Sequence, residues 1–287
     1  MWHDLAMTEG NLITLKPRTS MAVDLKRLEI SHGTLRVQYD LDMNAPSQRF
    51  IYDCCRSGGV YEATTTNLLT EFLKPGDTFV DVGAHVGFFS IMAAALVDPG
   101  GRVIAFEPNA ENYASLRNNV LLNGYAHVVC VNSAVGDHDG EAVFYENIDN
   151  DGGHALWDPG LHPFNQQSKA RQQARRLPMT TLDTALAGLG VQSVKAVKID
   201  TEGAEVRVLN GGARCLAAPG IELLVCENNE FGLASLGTSS TELRRTLANL
   251  GFAVCVQGEQ GELREIDADT PVHSDSVDNF YCFRGKS

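Results

Sequence analysis

Positive charge is scarce in this sequence. Its 287 residues include 23 Lys and Arg against 36 Asp and Glu, which gives a net charge of −13 at pH 7. Because nucleic acids and anionic membrane surfaces are bound mainly through clustered Lys and Arg, this balance argues against both as the main partner. Long apolar runs are also missing: the longest, near Val86–Val97, is too short to cross a bilayer and is interrupted by Gly87 and Ser90.

The cysteine pattern of a disulfide or zinc scaffold is absent as well. The seven cysteines are an odd number, no two form a Cys-x-x-Cys pair, and several lie in apolar, strand-like segments. The N-terminus has no charged region followed by an apolar stretch, so no secretory signal is visible. We therefore expect a cytoplasmic protein with reduced, buried thiols.

Two regions differ in their hydrophobic pattern. In the first, Leu35–Tyr39 and Arg49–Tyr52 alternate in polarity, which predicts half-buried strands. We assign residues 1–59 to a β-rich N-terminal extension that caps a site or forms a dimer contact. Residues 60–287 form the main domain, which begins with helical spacing.

In the main domain, short apolar strands alternate with helices. The predicted elements are helix Tyr61–Leu73, strand Thr78–Val82, helix Val86–Val97, strand Arg102–Phe106, helix Ala110–Asn123, strand His127–Asn132, strand Val194–Ile199, helix Glu205–Leu209, strand Ile221–Cys226, helix Thr241–Leu250 and strands Phe252–Gln257 and Phe280–Phe283. The last two have no helix between them and are expected to pair antiparallel. This order predicts an α/β fold: a mostly parallel sheet with helices on both faces.

The alternation breaks between about Gly140 and Leu177. Ala142–Tyr145 is a possible extra strand, but Asn147–Pro178 is polar and shows no clear period. A loop of that length in a compact domain is usually functional or mobile. Within it, Lys169–Arg176 is locally basic, which favours either a solvated helix face or a surface that attracts an acidic acceptor.

A glycine-containing turn, Asp81–Gly87, lies at the first strand-to-helix junction. Glycine at such a turn lets the backbone bend sharply and approach a ligand, and the N–H groups of the following helix point into the same space. Twenty residues after Gly87, Glu107 ends the second strand, where a carboxylate can bind a ribose diol. These features predict a nucleoside-binding crevice at one edge of the sheet.

Two kinds of cofactor are candidates for this crevice. A dinucleotide fingerprint requires a glycine where this chain has His85, and that side chain would crowd a pyrophosphate. Asp81 before the turn suits a cationic ligand better, and S-adenosylmethionine carries both a sulfonium and an amine. A turn that binds no ligand is the third interpretation.

Four blocks in this region resemble the FkbM-type family of S-adenosylmethionine-dependent class I methyltransferases. In chain order they are Phe79–Gly87, Ala105–Asn109, Ser133–Asp137 with Gly140, and Val197–Glu205. One departure is His85, where the family usually has Asn. The resemblance covers roughly Phe79 to Glu205 and continues more weakly to the C-terminus.

The resemblance implies a Rossmann-like, seven-stranded sheet whose last strand is antiparallel. It also implies that Asp81, Gly83 and Gly87 meet the amino-acid end of the cofactor, Glu107 its ribose, and Ser133–Ala134 its adenine. The full set of expected cofactor contacts is Asp81, Gly83, Ala84, His85, Gly87, Phe88, Glu107, Pro108, Ser133, Ala134 and Asp200.

Methylation of an alcohol requires that its proton be removed by a general base or a metal. Asp200 and Glu202 follow the fourth parallel strand and are candidate catalytic residues. Alternatively, Asp200 orients the cofactor or acceptor and Glu205 caps the next helix. His154 in the long loop is a second candidate base, because the ordinary pKa of histidine suits proton transfer. The competing interpretation is a simply exposed side chain.

A divalent cation such as Mg²⁺ is the other means of activating a hydroxyl. Asp200 together with Glu227 and Asn228 resembles the magnesium ligand set of catechol-type O-methyltransferases. Oxygen ligands on adjacent strand ends suit such a hard ion.

The resulting hypothesis is an O-methyltransferase for a hydroxyl on a small molecule or a sugar or glycan. Two rivals stay open: a nicotinamide-dependent oxidoreductase on a Rossmann fold, and a non-catalytic S-adenosylmethionine-binding protein. N-methylation is also open, because an amine acceptor needs less help from a base.

Overall fold

The computed structural model describes residues 23–32, 35–272 and 278–284. The strands are β1 (Leu25–His32), β2 (Leu35–Asp42), β3 (Thr78–Val82), β4 (Arg102–Phe106), β5 (Val128–Val131), β6 (Ala134–Gly136), β7 (Gly140–Tyr145), β8 (Ala174–Thr181), β9 (Ala196–Ile199), β10 (Leu223–Asn228), β11 (Phe252–Gln257), β12 (Leu263–Ile266) and β13 (Asp278–Arg284). The helices are α1 (Pro46–Cys55), α2 (Ala63–Phe72), α3 (Phe88–Val97), α4 (Ala110–Asn123), α5 (Gln166–Ala170), α6 (Leu182–Gly188), α7 (Glu205–Gly211), α8 (Ala213–Leu216), α9 (Glu230–Ser235) and α10 (Ser240–Asn249).

An eight-stranded sheet with the order β12-β11-β13-β10-β9-β3-β4-β5 forms the centre of the protein. Strands β3, β4, β5, β9 and β10 are parallel, and β13 pairs antiparallel with both β10 and β11. One apolar core lies on each face of this sheet. The predicted Rossmann-like α/β fold is confirmed. The sheet has one strand more than the seven expected, since β12 pairs antiparallel with β11 at the edge.

The N-terminal region contributes a hairpin and a helix. Strands β1 and β2 pair antiparallel, and the Tyr39 hydroxyl donates to the Phe88 carbonyl oxygen on α3 at 2.9 Å. The prediction of a strand at Arg49–Tyr52 is wrong, because α1 occupies this segment. Pro46 starts the helix, and the side chains of Gln48, Ile51 and Cys55 are buried at helical spacing. The other predicted strand is part of β2, and residues 1–22 of the extension lie outside the described residues.

The long segment expected to lack regular structure is bounded by two paired strands. β7 pairs antiparallel with β8, which also pairs with β6, so the three form a small second sheet. The solvated helix expected over Lys169–Arg176 is therefore wrong in its second half, where Arg175 and Arg176 lie on β8. Half of the β8 residues are exposed and only Met179 is buried, so the strand leaves little apolar period in the sequence. We call the connection between these two strands, residues 146–173, the strap.

Within the described ranges, no helix is long and apolar enough to span a membrane.

Candidate active site

A cavity of about 470 Å³ opens at the carboxyl ends of β3, β4, β9 and β10. This size lies in the ordinary range for small-molecule sites. Ten of the residues singled out in the sequence line it: Gly83, His85, Glu107, Pro108, Ser133, Ala134, His154, Asp200, Glu202 and Glu227. Parallel strands end at the same edge of a sheet, which is why residues so far apart in the chain converge here.

Five other predicted residues do not line the cavity. Asp81 is buried behind the glycine loop, and Phe88 belongs to the apolar core, stacked on Tyr39. Ala84 and Gly87 shape the loop, Gly87 as the residue that caps α3. Asn228 is also buried away from the cavity.

Asn228, which the sequence groups with Asp200 and Glu227, does not line the cavity with them. Successive side chains of a strand point to opposite faces, which accounts for the different positions of Glu227 and Asn228 on β10. Among the described residues, neither polar atom of the Asn228 side chain has a hydrogen-bond partner. Glu202 takes its place: one carboxylate oxygen each of Asp200, Glu202 and Glu227 lie within 4.8 Å of one another.

The glycine loop is pressed against the end of β9. Gly83 has a φ of +84°, and a Cβ built there would lie 1.7 Å from the carbonyl oxygen of Asp200. Only glycine allows this conformation and this close approach. Two residues further along, His85 also has a positive φ, of 52°. The loop thereby brings its backbone to the cavity beside Asp200.

Glu107 is held by the backbone beneath the cavity. Its two carboxylate oxygens accept hydrogen bonds from the backbone N–H groups of His85 and Asn109, each at 2.8 Å. Burial raises the pKa of Glu107 to about 7, against the opposing effects of His85 and these N–H donors. A carboxylate oxygen has more than one acceptor direction, so a bound hydroxyl can still reach it.

Asp151 ties the strap to the rest of the site. Its carboxylate accepts from the His85 ring Nε2 at 2.8 Å and from the backbone N–H of Ser47 at 2.7 Å, and its carbonyl oxygen accepts from the Asn112 side chain. Burial alone would raise the pKa of Asp151, but hydrogen bonds from His85, Ser47 and Gln48 hold it below its ordinary value. The strap is thus fixed to the glycine loop, α1 and α4 at one point.

The strap reaches the acidic strand ends at a second point, where the Trp157 indole N–H donates to the carbonyl oxygen of Glu202 at 2.5 Å. Between the two ties, the side chains of His154, Ala155 and Leu156 line the cavity. The strap therefore forms one wall of the cavity.

A buried cation lies beside Asp200, Glu202 and Glu227, which together we call the acidic wall. The Lys198 ammonium is 2.5 Å from a carboxylate oxygen of Asp200 and 4.9 Å from the centre of the Phe89 ring. Burial would lower the pKa of Lys198, but Asp200, Glu62 and Asp81 raise it well above its ordinary value. Lys198 is therefore a fixed positive charge among carboxylates.

Glu202 and Glu227 interact closely. The Glu202 backbone N–H donates to Glu227 at 3.0 Å, and the Asn229 side chain donates to the Glu202 carboxylate at 2.7 Å. Burial, with the nearby charge of Asp200, raises the pKa of Glu202 to about 8, and burial together with Glu202 raises that of Glu227 well above its usual range. Near neutral pH this pair holds at least one proton.

His154 lies on the strap with its ring edge against Phe144, at a centroid distance of 5.9 Å. Its Nδ1 accepts the backbone N–H of Asn147 at 2.9 Å. Burial lowers the pKa of His154 to about 4, with a further lowering from His85. The ring is therefore neutral at physiological pH.

Several cavity residues escaped the sequence analysis. They are Tyr61 and Glu62, which directly precede α2, and Asp278 and Asn279, which begin β13 at the other end of the main domain. No local pattern marks them, because only the paired register of β10 and β13 brings Asn279 opposite Glu227. Lys198 did carry a signal: it is a charge in the middle of a buried strand.

This chain is similar to several known proteins. Residues 81–254, more than half of the chain, match the family described as Methyltransferase FkbM domain. The 31-O-demethyl-FK506 methyltransferase FkbM of Streptomyces tacrolimicus is 31% identical over 169 residues, which are 48% of this chain and 60% of that relative. The chain therefore spans less than two thirds of that relative's length.

Two solved structures are also similar. The methyltransferase FkbM from Methylobacillus flagellatus KT matches with a TM-score of 0.44 at 14% identity, over 76% of this chain and 50% of that one. An S-adenosylmethionine-dependent O-methyltransferase from Thermotoga maritima matches with a TM-score of 0.43 at 13% identity, over 91% and 78%. On the family match over residues 81–254, this protein belongs to the FkbM methyltransferase domain family.

Proposed function

We propose that this protein is an S-adenosylmethionine-dependent methyltransferase that acts on a hydroxyl group of a small molecule or glycan. One observation carries the proposal: a single cavity combines the glycine loop and Glu107 with three carboxylates at neighbouring strand ends. In this proposal residues 60–287 form the class I methyltransferase domain. The N-terminal extension covers the site, since Ser47 and Phe50 of α1 line the cavity.

The residues present fit the cofactor. Glu107 would hold the ribose and Ser133–Ala134 the adenine, and the amino-acid end would lie near Gly83 and Asp200. When bound, S-adenosylmethionine supplies a methyl group on a positively charged sulfonium. The acidic wall suits that charge, and Asp81 adds a carboxylate behind the loop whose Oδ1 has no partner within the described residues.

Asp200 is the proton acceptor we propose for the hydroxyl. It is partly accessible from the cavity, with 28% of its side chain exposed, and it is ion-paired with Lys198. Glu202 and Glu227 share at least one proton near neutral pH, so they are poorer acceptors. Lys198 would hold Asp200 in place, and Glu202 would supply a hydrogen bond to the acceptor.

A divalent cation held by Asp200, Glu202 and Glu227 is the second candidate for removing this proton. Oxygen ligands suit Mg²⁺, but the Lys198 ammonium already contacts one oxygen of Asp200 and would compete with an ion. If a metal does this chemistry, treatment with EDTA followed by gel filtration abolishes turnover and added Mg²⁺ restores it. Unchanged turnover rejects the metal.

Transfer of a tritiated methyl group from S-adenosylmethionine to a panel of hydroxylated small molecules and glycans tests the proposed reaction. General-base catalysis contributes about 10²–10⁴-fold, so Asp200→Asn should lower turnover by at least about 100-fold. S-adenosylhomocysteine should still bind to this variant. Asp269→Asn, an exposed carboxylate outside the cavity, serves as the control and should turn over normally. Normal turnover by Asp200→Asn would rule out its role as base.

Ligand-induced stabilisation separates the proposal from its nicotinamide rival. A ligand that binds only the native state stabilises it by about 2.7 kcal/mol at a hundredfold excess over its Kd. S-adenosylhomocysteine should therefore raise the Tm and NAD should not. The reverse result would favour an oxidoreductase. Stabilisation by S-adenosylhomocysteine without methyl transfer to any acceptor would favour a non-catalytic binding protein.

A further inference from the structure

His154 has one ring nitrogen committed to the backbone. Nδ1 accepts the N–H of Asn147, so Nδ1 carries a lone pair and, in the neutral ring, the proton is on Nε2. No residue in the described part of the chain forms a hydrogen bond with Nε2. Because His154 lines the cavity and its Nδ1 edge is turned to the strap backbone, an unpartnered N–H donor faces the cavity.

The strap holds this ring in a fixed frame. The Asn147 side-chain oxygen accepts from the Ser168 hydroxyl at 3.1 Å, which anchors the donor residue. Beside it, Tyr145 and Ala155 form a reciprocal pair of backbone hydrogen bonds of 2.8 and 3.1 Å. His154 therefore lies between Asn147 and Ala155, which are both held by hydrogen bonds, and these contacts fix the orientation of its ring.

This geometry does not suit the general base that the sequence suggested. A base must present a lone pair to the acceptor, whereas the only lone pair of the neutral His154 ring is used by Asn147. The cavity side of the ring can donate a hydrogen bond but cannot take up a proton.

The position of the ring indicates which ligand group it meets. His154 packs on Phe144 of β7, and β7 belongs to the same small sheet as β6, which contributes Ala134 and Val135 to the cavity wall. Phe144 also lines the cavity, and we assign the wall that this sheet contributes, together with Glu107, to the nucleoside.

We propose that His154 is a nucleoside-binding residue whose Nε2–H donates to a lone pair of the cofactor's ribose or adenine. This assignment rests on the proposed function. It predicts that the site selects a ligand with a hydrogen-bond acceptor at this point, and that His154 takes no part in proton transfer.

Two substitutions separate a donor from a base. The side-chain amide of Gln reaches the position of Nε2 and can donate there, whereas the shorter Asn reaches only the position of Nδ1. In isothermal titration with S-adenosylhomocysteine, we expect His154→Gln to keep the wild-type Kd within a few-fold. Loss of one neutral hydrogen bond in His154→Asn should raise the Kd by about 10-fold. Equal Kd values for wild type and His154→Asn would overturn the proposal.

The tautomer can be measured without any ligand. Nitrogen-15 shifts of the His154 ring in the free protein should show a protonated Nε2 and an unprotonated Nδ1, unchanged between pH 6 and pH 8. A proton on Nδ1, or a doubly protonated ring, overturns the inference. If the wild-type protein fails to bind S-adenosylhomocysteine while the ring has the expected tautomer, the error lies in the proposed function and the nucleoside assignment falls with it.

Discussion

Gly83 marks the closest approach between the glycine loop and the strand that carries the acidic residues. The positive φ and the short distance to the Asp200 carbonyl oxygen are separate constraints, and any side chain violates both. A side chain at this position would affect the site as well as stability, because the contact of Gly83 fixes the distance between the glycine loop and Asp200.

We predict that Gly83→Ala loses about 3 kcal/mol or more of unfolding free energy, because left-handed backbone and overpacking each cost about 1–3 kcal/mol. Binding of S-adenosylhomocysteine should be lost with it. Gly124→Ala is the matched control, since Gly124 also has a positive φ but has open space around its Cβ direction. It should cost about 1 kcal/mol in urea unfolding and leave binding intact. Equal losses in the two variants would contradict the close-approach argument.

At the residue scale, the sequence could predict the cavity residues that directly follow the end of a strand. Gly83, Glu107 and Asp200 follow three different strands, and all three reach the cavity. Of the neighbours Glu227 and Asn228, only Glu227 lines the cavity, in keeping with the rule that successive strand residues face opposite sides. Lys198 was not singled out, although a charged residue within a buried strand is a recognisable signal; its ion pair with Asp200 is seen only in the folded structure.

The strap forms one wall of the cavity. It ties to the domain at Asp151 and at Trp157, with the cavity wall between these points. Opening of either tie would let this wall move away from a bound ligand.

We predict that Asp151→Asn speeds the dissociation of S-adenosylhomocysteine by at least about 10-fold, because hydrogen bonds to a charged group contribute about 1.5–3 kcal/mol. Stopped-flow displacement would measure the rate. Asp149→Asn is the control, since the Asp149 carboxylate accepts from the backbone of Gln167 and Ser168, within the strap itself. If both variants release the ligand at the same rate, the strap tie does not control release.

At the element scale, strands with one or both faces buried were predictable, and exposed elements were not. β3 and β4 have the predicted bounds because both are apolar and closed by turn residues. Half of the β8 residues are exposed, and α1 buries a polar Gln48 in place of an apolar residue. Both therefore lack the apolar period by which such elements are recognised.

Across the whole molecule, buried carboxylates set the pH dependence of stability. The pKa values of Glu107 and Glu205 are raised to about 7 and that of Glu202 to about 8, mainly by burial. An unfolded glutamate titrates near 4.3, so the fold favours the protonated forms. Their stabilisation is complete below the unfolded pKa and is lost as the pH rises through 7 to 8.

We therefore predict that the unfolding free energy of the ligand-free protein falls by on the order of 2 kcal/mol between pH 6.5 and pH 8. Urea unfolding at the two pH values measures the change. Glu202→Gln keeps a neutral side chain at all pH values and should reduce the fall. A protein that becomes more stable over this range would contradict the assignment of these carboxylates as protonated.

The fold as a whole was predictable because alternation of strand and helix fixes a parallel sheet. The antiparallel last strand followed both from the absence of a helix between the last two predicted strands and from the resemblance to FkbM-type proteins. The eighth strand was not predictable, since β12 is a short, mostly exposed edge in an acid-rich connection. Nor was the contribution of the N-terminal hairpin, whose Tyr39 enters the main core through a contact between distant parts of the chain.

A crystal structure of the complex with S-adenosylhomocysteine tests the central proposal most directly. We expect the ligand in the cavity at the carboxyl ends of β3, β4 and β9, with its ribose hydroxyls on Glu107 and its adenine beside Ser133–Ala134. Its sulfur should face Asp200. A ligand bound outside this cavity, or with its sulfur turned away from the acidic wall, would contradict the proposal.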